Sequence, residues 1–280
     1  MADVVAFAYH DVLPVGAREV SGFTGADAAT YLVELPQFQR QLDALALDGH
    51  VSTVDTEPTP LPAHRQCLLT FDDGGESAHS YIAGELEARG WRGCFFVTTS
   101  LIGSSGFLRA EQILDLHKRG HVIGSHSVSH RGRMSRMPRE RVRAEWQGSA
   151  DLLAGIVGEP ITAASIPSGY YAPHVAEEAA AAGIRFLYTQ KPTTRPVQVD
   201  GCLVLGRYTV RRWTAPATIA ALANGELGAR AAARAVWFAK QIPKALPGSG
   251  YARVRGVLFR AAHKRRLTQN DAPVPGDGAR

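Results

Sequence analysis

The sequence predicts an α/β fold in which parallel strands alternate with helices. Short apolar runs recur along the chain, and most are followed by a stretch whose apolar residues repeat at helical spacing. Two of the helical stretches stop at a glycine, Gly90 and Gly120, as helices commonly do. This alternation is typical of a parallel barrel or a doubly wound sheet, and the pattern leaves both open.

Each predicted strand is an apolar run bounded by polar or turn-forming residues. In chain order the predicted strands are Val4–Tyr9, Cys67–Phe71, Cys94–Val97, Val122–Ile123, Ala163–Ile166, Phe186–Thr189 and Leu203–Tyr208. The predicted helices are Pro36–Leu47, His79–Arg89, Arg109–Arg119, Pro138–Ile156, Pro173–Ala182, Thr214–Asn224 and Glu226–Gln241. In the first helix, for example, Phe38, Leu42 and Leu45 share one face.

The C-terminal part of the chain has a different character. Residues 251–266 are basic and partly amphipathic, so they either make a peripheral contact with an anionic membrane or pack on the fold as a soluble helix. Residues 267–280 have the composition of a disordered tail. We therefore predict an α/β unit over residues 1–225, a basic helical extension over 226–266 and a tail over 267–280.

The overall composition indicates an ordinary globular protein. Hydrophobic residues make up 45% of the 280 residues, and the formal net charge is +5. A surplus of this size favours anionic partners only weakly, and nucleic acid is not expected to be one of them. Oligomeric state is left open.

Cysteine usage and the N-terminus suggest a reducing compartment. Cys67, Cys94 and Cys202 lie far apart, and two of them are in apolar runs, so buried reduced thiols are expected. No run of residues is long enough to span a bilayer, and the N-terminus lacks the basic region of a signal peptide. If that start is native, a cytoplasmic location is expected.

The first chemical motif places two adjacent carboxylates, Asp72 and Asp73, between an apolar strand and two glycines. In parallel sheets, ligands bind at the loops that follow the strands. Neighbouring strand residues point to opposite sides, so the two acids should have different roles. The alternative is that one of them caps the following helix.

The second motif, Gly124-Ser-His-Ser-Val-Ser-His130, also follows a short strand. Two histidines four residues apart on a helical turn project to the same side and can share a metal ion. The alternative is an ordinary pair of surface histidines. One carboxylate with two imidazoles leaves coordination positions for water and substrate, as in catalytic rather than structural metal sites.

Together, the sequences TFDDG at 70–74 and HSVSH at 126–130 resemble the polysaccharide deacetylases of carbohydrate esterase family 4. That domain is shared by rhizobial chitooligosaccharide, chitin and peptidoglycan deacetylases. The segment Tyr9-His-Asp-Val12 and the Phe38–Gly49 helix resemble the exopolysaccharide branch, and the resemblance extends to about Tyr208. It implies a distorted (β/α) barrel of about seven parallel strands with additional C-terminal helices.

The resemblance also implies a chemistry. It predicts a hydrolase that removes an N-acetyl or related acyl group, such as formyl, from an amino sugar in a polysaccharide, oligosaccharide or lipid-linked glycan. Asp73, His126 and His130 would bind one divalent ion, usually zinc, with cobalt or another ion as alternatives. Asp72 would be the general base.

Two features of the family are not found in their usual places. Residues 166–170 (IPSGY) match the third motif only loosely, and the arginine that usually orients the base is missing there. The N–H of Ser168 would be the oxyanion donor, unless the segment is simply a Pro-Gly turn. The late histidine motif is not recognisable, so His10 is the leading substitute for the general acid. A hydrogen-bonded histidine at a strand end is the alternative for His10.

Other polar residues have weaker claims. His79 and His174 are further candidates for the acid, although both lie at predicted helix starts. Arg207, at a strand end, either orients a carboxylate or forms an ion pair in the core or at the surface. The basic stretch 131–136 either meets phosphate or acidic sugar or forms a solvated loop.

Two other functions remain open. Two histidines and a carboxylate also form the site of non-haem iron oxygenases, but those enzymes usually carry a His-x-Asp segment that is absent here. A degenerate carbohydrate-binding or scaffold protein would explain the missing arginine and histidine motifs.

Overall fold

The computed structural model describes residues 4–17, 21–22, 28–46, 66–130 and 133–241. Its strands are β1 (Val4–Tyr9), β2 (Val12–Leu13), β3 (Val33–Glu34), β4 (Gln66–Phe71), β5 (Cys94–Val97), β6 (Val122–Ser125), β7 (Ala163–Ser165), β8 (Phe186–Tyr188), β9 (Val197–Val199), β10 (Cys202–Leu205) and β11 (Tyr208–Thr209). Its helices are α1 (Leu35–Ala46), α2 (Ala83–Glu87), α3 (Ala110–Lys118), α4 (Arg139–Val157), α5 (Pro173–Ala181), α6 (Pro216–Ala223) and α7 (Leu227–Gln241).

Within the described residues, nine strands form one curled sheet in the order β11-β1-β4-β5-β6-β7-β8-β10-β9. Eight of them run parallel, and β9 pairs antiparallel with β10 at one edge. The predicted α/β class and the curled parallel sheet are confirmed, with one more parallel strand than the sequence suggested. Strands β2 and β3 form a separate two-stranded parallel sheet.

Most predicted elements are confirmed to within two residues, but two differ in kind. The predicted strand Leu203–Tyr208 is two strands, because the chain leaves β10 at Gly206 and re-enters the sheet as β11 beside β1. A side chain at Gly206 would collide with the carbonyl oxygens of Lys191 and Thr193, which explains a glycine at this close approach. The predicted helix His79–Arg89 begins as a π-helix over Ala78–Ile82 and continues as α2.

One face of the sheet carries a buried core built from alternate residues of adjacent strands. Its members are Val4, Ala6, Leu68, Cys94, Phe96, Ala163, Phe186, Tyr188 and Leu205. Side chains of a strand alternate between its two faces. Thr70 and Asp72 therefore lie on the same face as Leu68, and Arg207 lies on the same face as Leu205. The chain therefore sets Asp72 and Arg207 at one end of this core.

The cysteine prediction is confirmed: Cys67, Cys94 and Cys202 are free and buried. Burial raises the pKa of each thiol to about 12, so all three stay protonated at neutral pH.

The chain divides into two compact units, Met1–Ala231 and Ala232–Arg280. The first unit contains the whole sheet and helices α1–α6. Of the second, only the part of α7 up to Gln241 is described, so the predicted basic segment 251–266 and the tail 267–280 lie outside the described residues. The domain boundaries that we drew from sequence stay predictions. Within the described ranges, no helix is both long and apolar enough to cross a membrane.

Candidate metal centre

Both sequence motifs lie at the C-terminal edge of the parallel sheet. Asp72 and Asp73 follow β4, and His126 and His130 follow β6, two strands further along. The three predicted ligands, Asp73, His126 and His130, come together with one potential ligand atom each, all within 4.8 Å of one another. The sequence predicted this convergence.

Asp72 forms a buried, two-pronged ion pair with Arg207. The guanidinium donates to Oδ1 at 2.7 Å and to Oδ2 at 2.8 Å, and neither side chain is exposed to solvent. The remaining donors of Arg207 bind Thr70 Oγ1 at 2.9 Å, Ser165 Oγ at 2.7 Å and the carbonyl oxygen of Thr189 at 3.0 Å. All five N–H groups of the guanidinium are thus used, which fixes the carboxylate of Asp72 in one orientation.

An arginine that binds Asp72 is therefore present, although it does not come from the third motif. Arg207 lies between β10 and β11, well away in sequence from the Ser168 segment. Arg207 forms a buried ion pair with Asp72 and, through the same contact, orients the carboxylate of Asp72. The two alternatives for Arg207, orienting a carboxylate and forming a core ion pair, are therefore compatible. The sequence indicated a role for Arg207 only through its position at the end of an apolar strand.

The charges around Asp72 keep it ionised. Burial alone would raise the pKa of this carboxyl, but Arg207, and then His126 and His10, outweigh burial and lower the pKa below its usual range. Asp72 is consequently a carboxylate at neutral pH and can accept a proton.

Asp73 points the other way, toward the histidines. Its Oδ1 lies 3.2 Å from Nε2 of His126 and 3.4 Å from Nε2 of His130. Burial would raise the pKa of Asp73, but the imidazole of His126, followed by His10 and His130, lowers it. The two adjacent acids thus have different partners, and the different roles expected for them stay predictions. The helix-capping alternative is wrong for both, because the helical segment begins at Ala78 and Ser77 precedes it.

His126 is fixed by its other ring nitrogen. Nδ1 lies 3.0 Å from the carbonyl oxygen of Ser165, which can only accept a hydrogen bond, so Nδ1 carries a proton and Nε2 faces Asp73. Metal-binding histidines are commonly oriented by a contact of this kind. Burial would lower the pKa of His126, but Asp72 and Asp73 raise it. For His130, burial and the neighbouring His126 lower the pKa.

The two histidines do not share a helical turn, and that part of the sequence interpretation is wrong. Residues 126–130 form a loop, in which Ser127 has a φ of 67° and His130 a φ of 49°. The loop folds back because Ser127 N–H donates to Ser125 Oγ and His130 N–H donates to Ser127 Oγ, both at 3.1 Å. Local serine contacts of this type compete with helix formation.

The three side chains fit a divalent ion. Asp73 Oδ1 is buried and accepts no hydrogen bond from the described residues, although two imidazole nitrogens approach it. Zinc ligands at about 2.1 Å in a tetrahedron are separated by about 3.4 Å, close to the two distances observed here. A carboxylate and two imidazoles are also ligands that zinc accepts.

His10, the predicted substitute for the general acid, lies near the predicted metal ligands, and its catalytic role stays a prediction. It follows β1, and its charge acts on Asp11, Asp72 and Asp73. Its ring lies 4.7 Å from that of Tyr31, and its buried Nδ1 has no hydrogen-bond partner among the described residues. The alternative of a fully hydrogen-bonded histidine does not fit this nitrogen.

Ser168 lies just after β7 in an exposed turn. Its φ of 57° is left-handed, and Pro167 before it is buried. The strand ends at Ser165, which contacts both His126 and Arg207. The turn is thus attached to the metal-binding region, and the role of its N–H stays a prediction.

The weaker acid candidates lie in other surroundings. His79 is in the π-helix, and its Nε2 lies 3.0 Å from Asp115 Oδ2 on α3. His174 is at the start of α5, as the sequence indicated. Of the basic stretch 131–136, residues 131 and 132 lie outside the described residues.

Comparison with known proteins agrees with these observations. Residues 62–187 match the family model described as Polysaccharide deacetylase. A gellan lyase of Bacillus sp. is 31% identical over 144 residues, which are 47% of this chain and 6% of the lyase. The putative polysaccharide deacetylase YxkH of Bacillus subtilis is 25% identical over 131 residues, 47% of each chain. This chain thus spans less than half the length of these two relatives.

Solved structures share the fold at low identity. Streptococcus pyogenes deacetylase PplD, in complex with acetate, has a TM-score of 0.62 and 21% identity, covering 76% of this chain and 95% of PplD. IcaB from Ammonifex degensii has a TM-score of 0.64 and 22% identity, covering 80% of this chain and 98% of IcaB. The matched stretch, the two motifs and the fold agree, and over residues 62–187 the chain resembles the polysaccharide deacetylase family.

Proposed function

We propose that the protein is a metal-dependent hydrolase that removes the N-acetyl group, or a related acyl group, from an amino sugar in a glycan. One observation carries the proposal: an ionised, immobilised carboxylate, Asp72, lies directly beside the cluster of Asp73, His126 and His130. A proton acceptor next to a divalent-ion site is what amide hydrolysis by water requires. The family match over residues 62–187 and the similarity in fold to PplD and IcaB support the same chemistry.

Asp73, His126 and His130 would hold the ion, most suitably zinc. When bound, a divalent ion polarises the acyl carbonyl and makes water more acidic. Asp72 accepts the proton of the attacking water, and Arg207 keeps both of its oxygens in place during that transfer. Because the ion pair stabilises the carboxylate form, Asp72 is ionised at neutral pH and can accept a proton, although it is a weaker base than a free aspartate.

The other two catalytic roles are assigned to His10 and Ser168. His10 gives a proton to the departing sugar nitrogen, and its unpaired Nδ1 and its closeness to Asp72 and Asp73 support this role. The backbone N–H of Ser168 donates to the oxyanion, as a preorganised donor. Acetate or formate and a free amine are the products.

An activity screen over N-acylated sugars tests the proposal. N-acetylglucosamine oligomers and lipid-linked N-acetylated sugars are incubated with and without added zinc or cobalt, and released acetate and formate are measured. We expect metal-stimulated release that is abolished in Asp72→Asn and retained in Asp151→Asn, an exposed aspartate on α4. No release from any substrate would favour a degenerate carbohydrate-binding protein, and oxygen uptake with iron would favour an oxygenase.

Cellular location and membrane contact are separate proposals. We propose a cytoplasmic location. We also propose a peripheral membrane contact through residues 251–266, which the basic composition of that segment suggests. Truncation at about residue 250 should abolish sedimentation with anionic liposomes, and unchanged sedimentation would contradict the membrane contact.

A further inference from the structure

The loop that carries His130 is held by helix α4. Glu145 lies on that helix, and its Oε2 accepts a hydrogen bond from the N–H of Ser129 at 2.8 Å. Its Oε1 accepts a second from Ser129 Oγ at 2.6 Å. One carboxylate therefore binds two groups of the residue that directly precedes His130.

A second residue of α4 supports the base of the same loop. Ser149, one helical turn after Glu145, accepts a hydrogen bond from Ser125 Oγ at 2.8 Å. Positions four apart on a helix share a face, so this face of α4 contacts both ends of the loop. Ser125 in turn accepts from Ser127 N–H.

The two metal-binding histidines are oriented in different ways. The ring of His126 is buried and is anchored at Nδ1 by the carbonyl oxygen of Ser165. The side chain of His130 is 32% exposed, and its backbone N–H is held by Ser127 Oγ. The direction of the His130 ring therefore depends on the backbone of the loop.

That backbone is strained. Ser127 and His130 both have positive φ, a conformation that L-residues with a side chain rarely adopt. Strained residues keep such conformations only when surrounding contacts hold them. The paired hydrogen bonds from Ser129 to Glu145 lie between the two strained positions in sequence.

We propose that Glu145 is a positioning residue for the metal ligand His130. It holds the Ser129–His130 peptide so that Nε2 of His130 stays near Asp73 Oδ1 and Nε2 of His126. The inference rests on the proposed metal centre and adds to it a helix residue outside both sequence motifs.

Zinc affinity, measured by competition with a chromophoric chelator, tests this role without any substrate. We expect Glu145→Ala to bind zinc at least about tenfold more weakly, the lower end of the effect of losing an outer-shell contact. Glu145→Gln keeps one acceptor oxygen and should lose less. Glu140→Ala, at an exposed glutamate of the same helix, should leave the affinity unchanged.

A double-mutant cycle with His130→Ala separates positioning from general stability. If Glu145 acts through His130, Glu145→Ala should cause no further loss of zinc affinity in the His130→Ala background. Equal loss in both backgrounds, or wild-type affinity in Glu145→Ala, would overturn the proposal. If Glu145→Ala does not fold, Ser129→Ala, which removes only the hydroxyl contact, takes its place with the same expectation.

The outcome is distinguishable from failure of the proposed function. Zinc binding by the wild type with no acyl release would refute the deacetylase while leaving the role of Glu145 open to the cycle above. Absence of zinc binding by the wild type would refute both.

Discussion

At the scale of single residues, the pair of Asp72 and Arg207 is the feature with the largest consequences. Burial alone would raise the pKa of a carboxyl group at this depth and so disfavour its ionised form. The guanidinium reverses that effect and also restricts the carboxylate to one orientation. The same contact therefore provides both the ionisation state and the geometry of the proposed base.

Removing one partner of this ion pair should destabilise the protein more than replacing both partners with uncharged residues. We expect Arg207→Met to lower the free energy of unfolding by about 3–5 kcal/mol, because it leaves Asp72 buried without a partner. Asp72→Asn combined with Arg207→Met should restore part of that loss, since an uncharged pair removes the unpaired charge. Urea unfolding of the wild type, the single variants and the double variant measures this, and strictly additive losses would contradict a direct interaction.

At the scale of elements, the loop between β4 and the π-helix shapes the site. Asp73 and Gly74 have φ values of 81° and 82°, so the chain turns sharply as it leaves the strand. Gly75 then passes against Asp11, whose carboxylate accepts hydrogen bonds from Ser77 and Ser21. The two consecutive glycines of the motif meet different requirements: backbone conformation at the first and close approach at the second.

A pair of glycine substitutions distinguishes these surroundings. A Cβ at Gly75 would collide with Asp11 Oδ1, so Gly75→Ala should destabilise the protein by about 1–3 kcal/mol through overpacking. Gly84, exposed in α2, has open space around its Cβ position, so Gly84→Ala should stabilise by about 0.5–1 kcal/mol. Urea unfolding measures the free energy of unfolding of both variants. Changes of the same sign would contradict the different surroundings described for Gly75 and Gly84.

At the scale of the whole molecule, a buried histidine at the N-terminal end of β6 makes stability depend on pH. His121, before β6, is buried, and its Nδ1 accepts a hydrogen bond from Gly93 N–H at 3.1 Å. Its Nε2 lies 2.9 Å from Glu87 Oε1, and Arg119 binds the same carboxylate. This arrangement requires neutral His121, and burial, the largest influence, lowers its pKa.

The sign of the pH effect follows from that direction. Because the folded pKa of His121 lies below the unfolded value of about 6.5, its contribution is complete above pH 6.5 and is lost as the pH falls through the folded pKa. The free energy of unfolding of the wild type should therefore fall more steeply between pH 7 and pH 5 than that of His121→Gln. Parallel pH profiles from urea unfolding would show that His121 does not contribute.

Much of this fold follows from local sequence. Strands such as Val4–Tyr9 and Cys94–Val97 are apolar on both faces and bounded by polar residues, so their limits are visible in the sequence. The short strands β2, β3 and β9 were missed because two or three residues carry no periodic pattern. The break at Gly206 was missed because only a distant backbone segment demands it.

The sequence by itself determined the alternation of strands and helices, the two motifs and the convergence of Asp73, His126 and His130, because the ends of parallel strands meet at one edge. Only the tertiary structure decided that Arg207 is the partner of Asp72 and that Glu145 holds the loop of His130. Those contacts join residues far apart in the chain, and no local pattern records which distant side chains the curled sheet brings together. Asp73, His126 and His130 thus come together as predicted at the outset, and the arginine that binds Asp72 comes from the segment between β10 and β11.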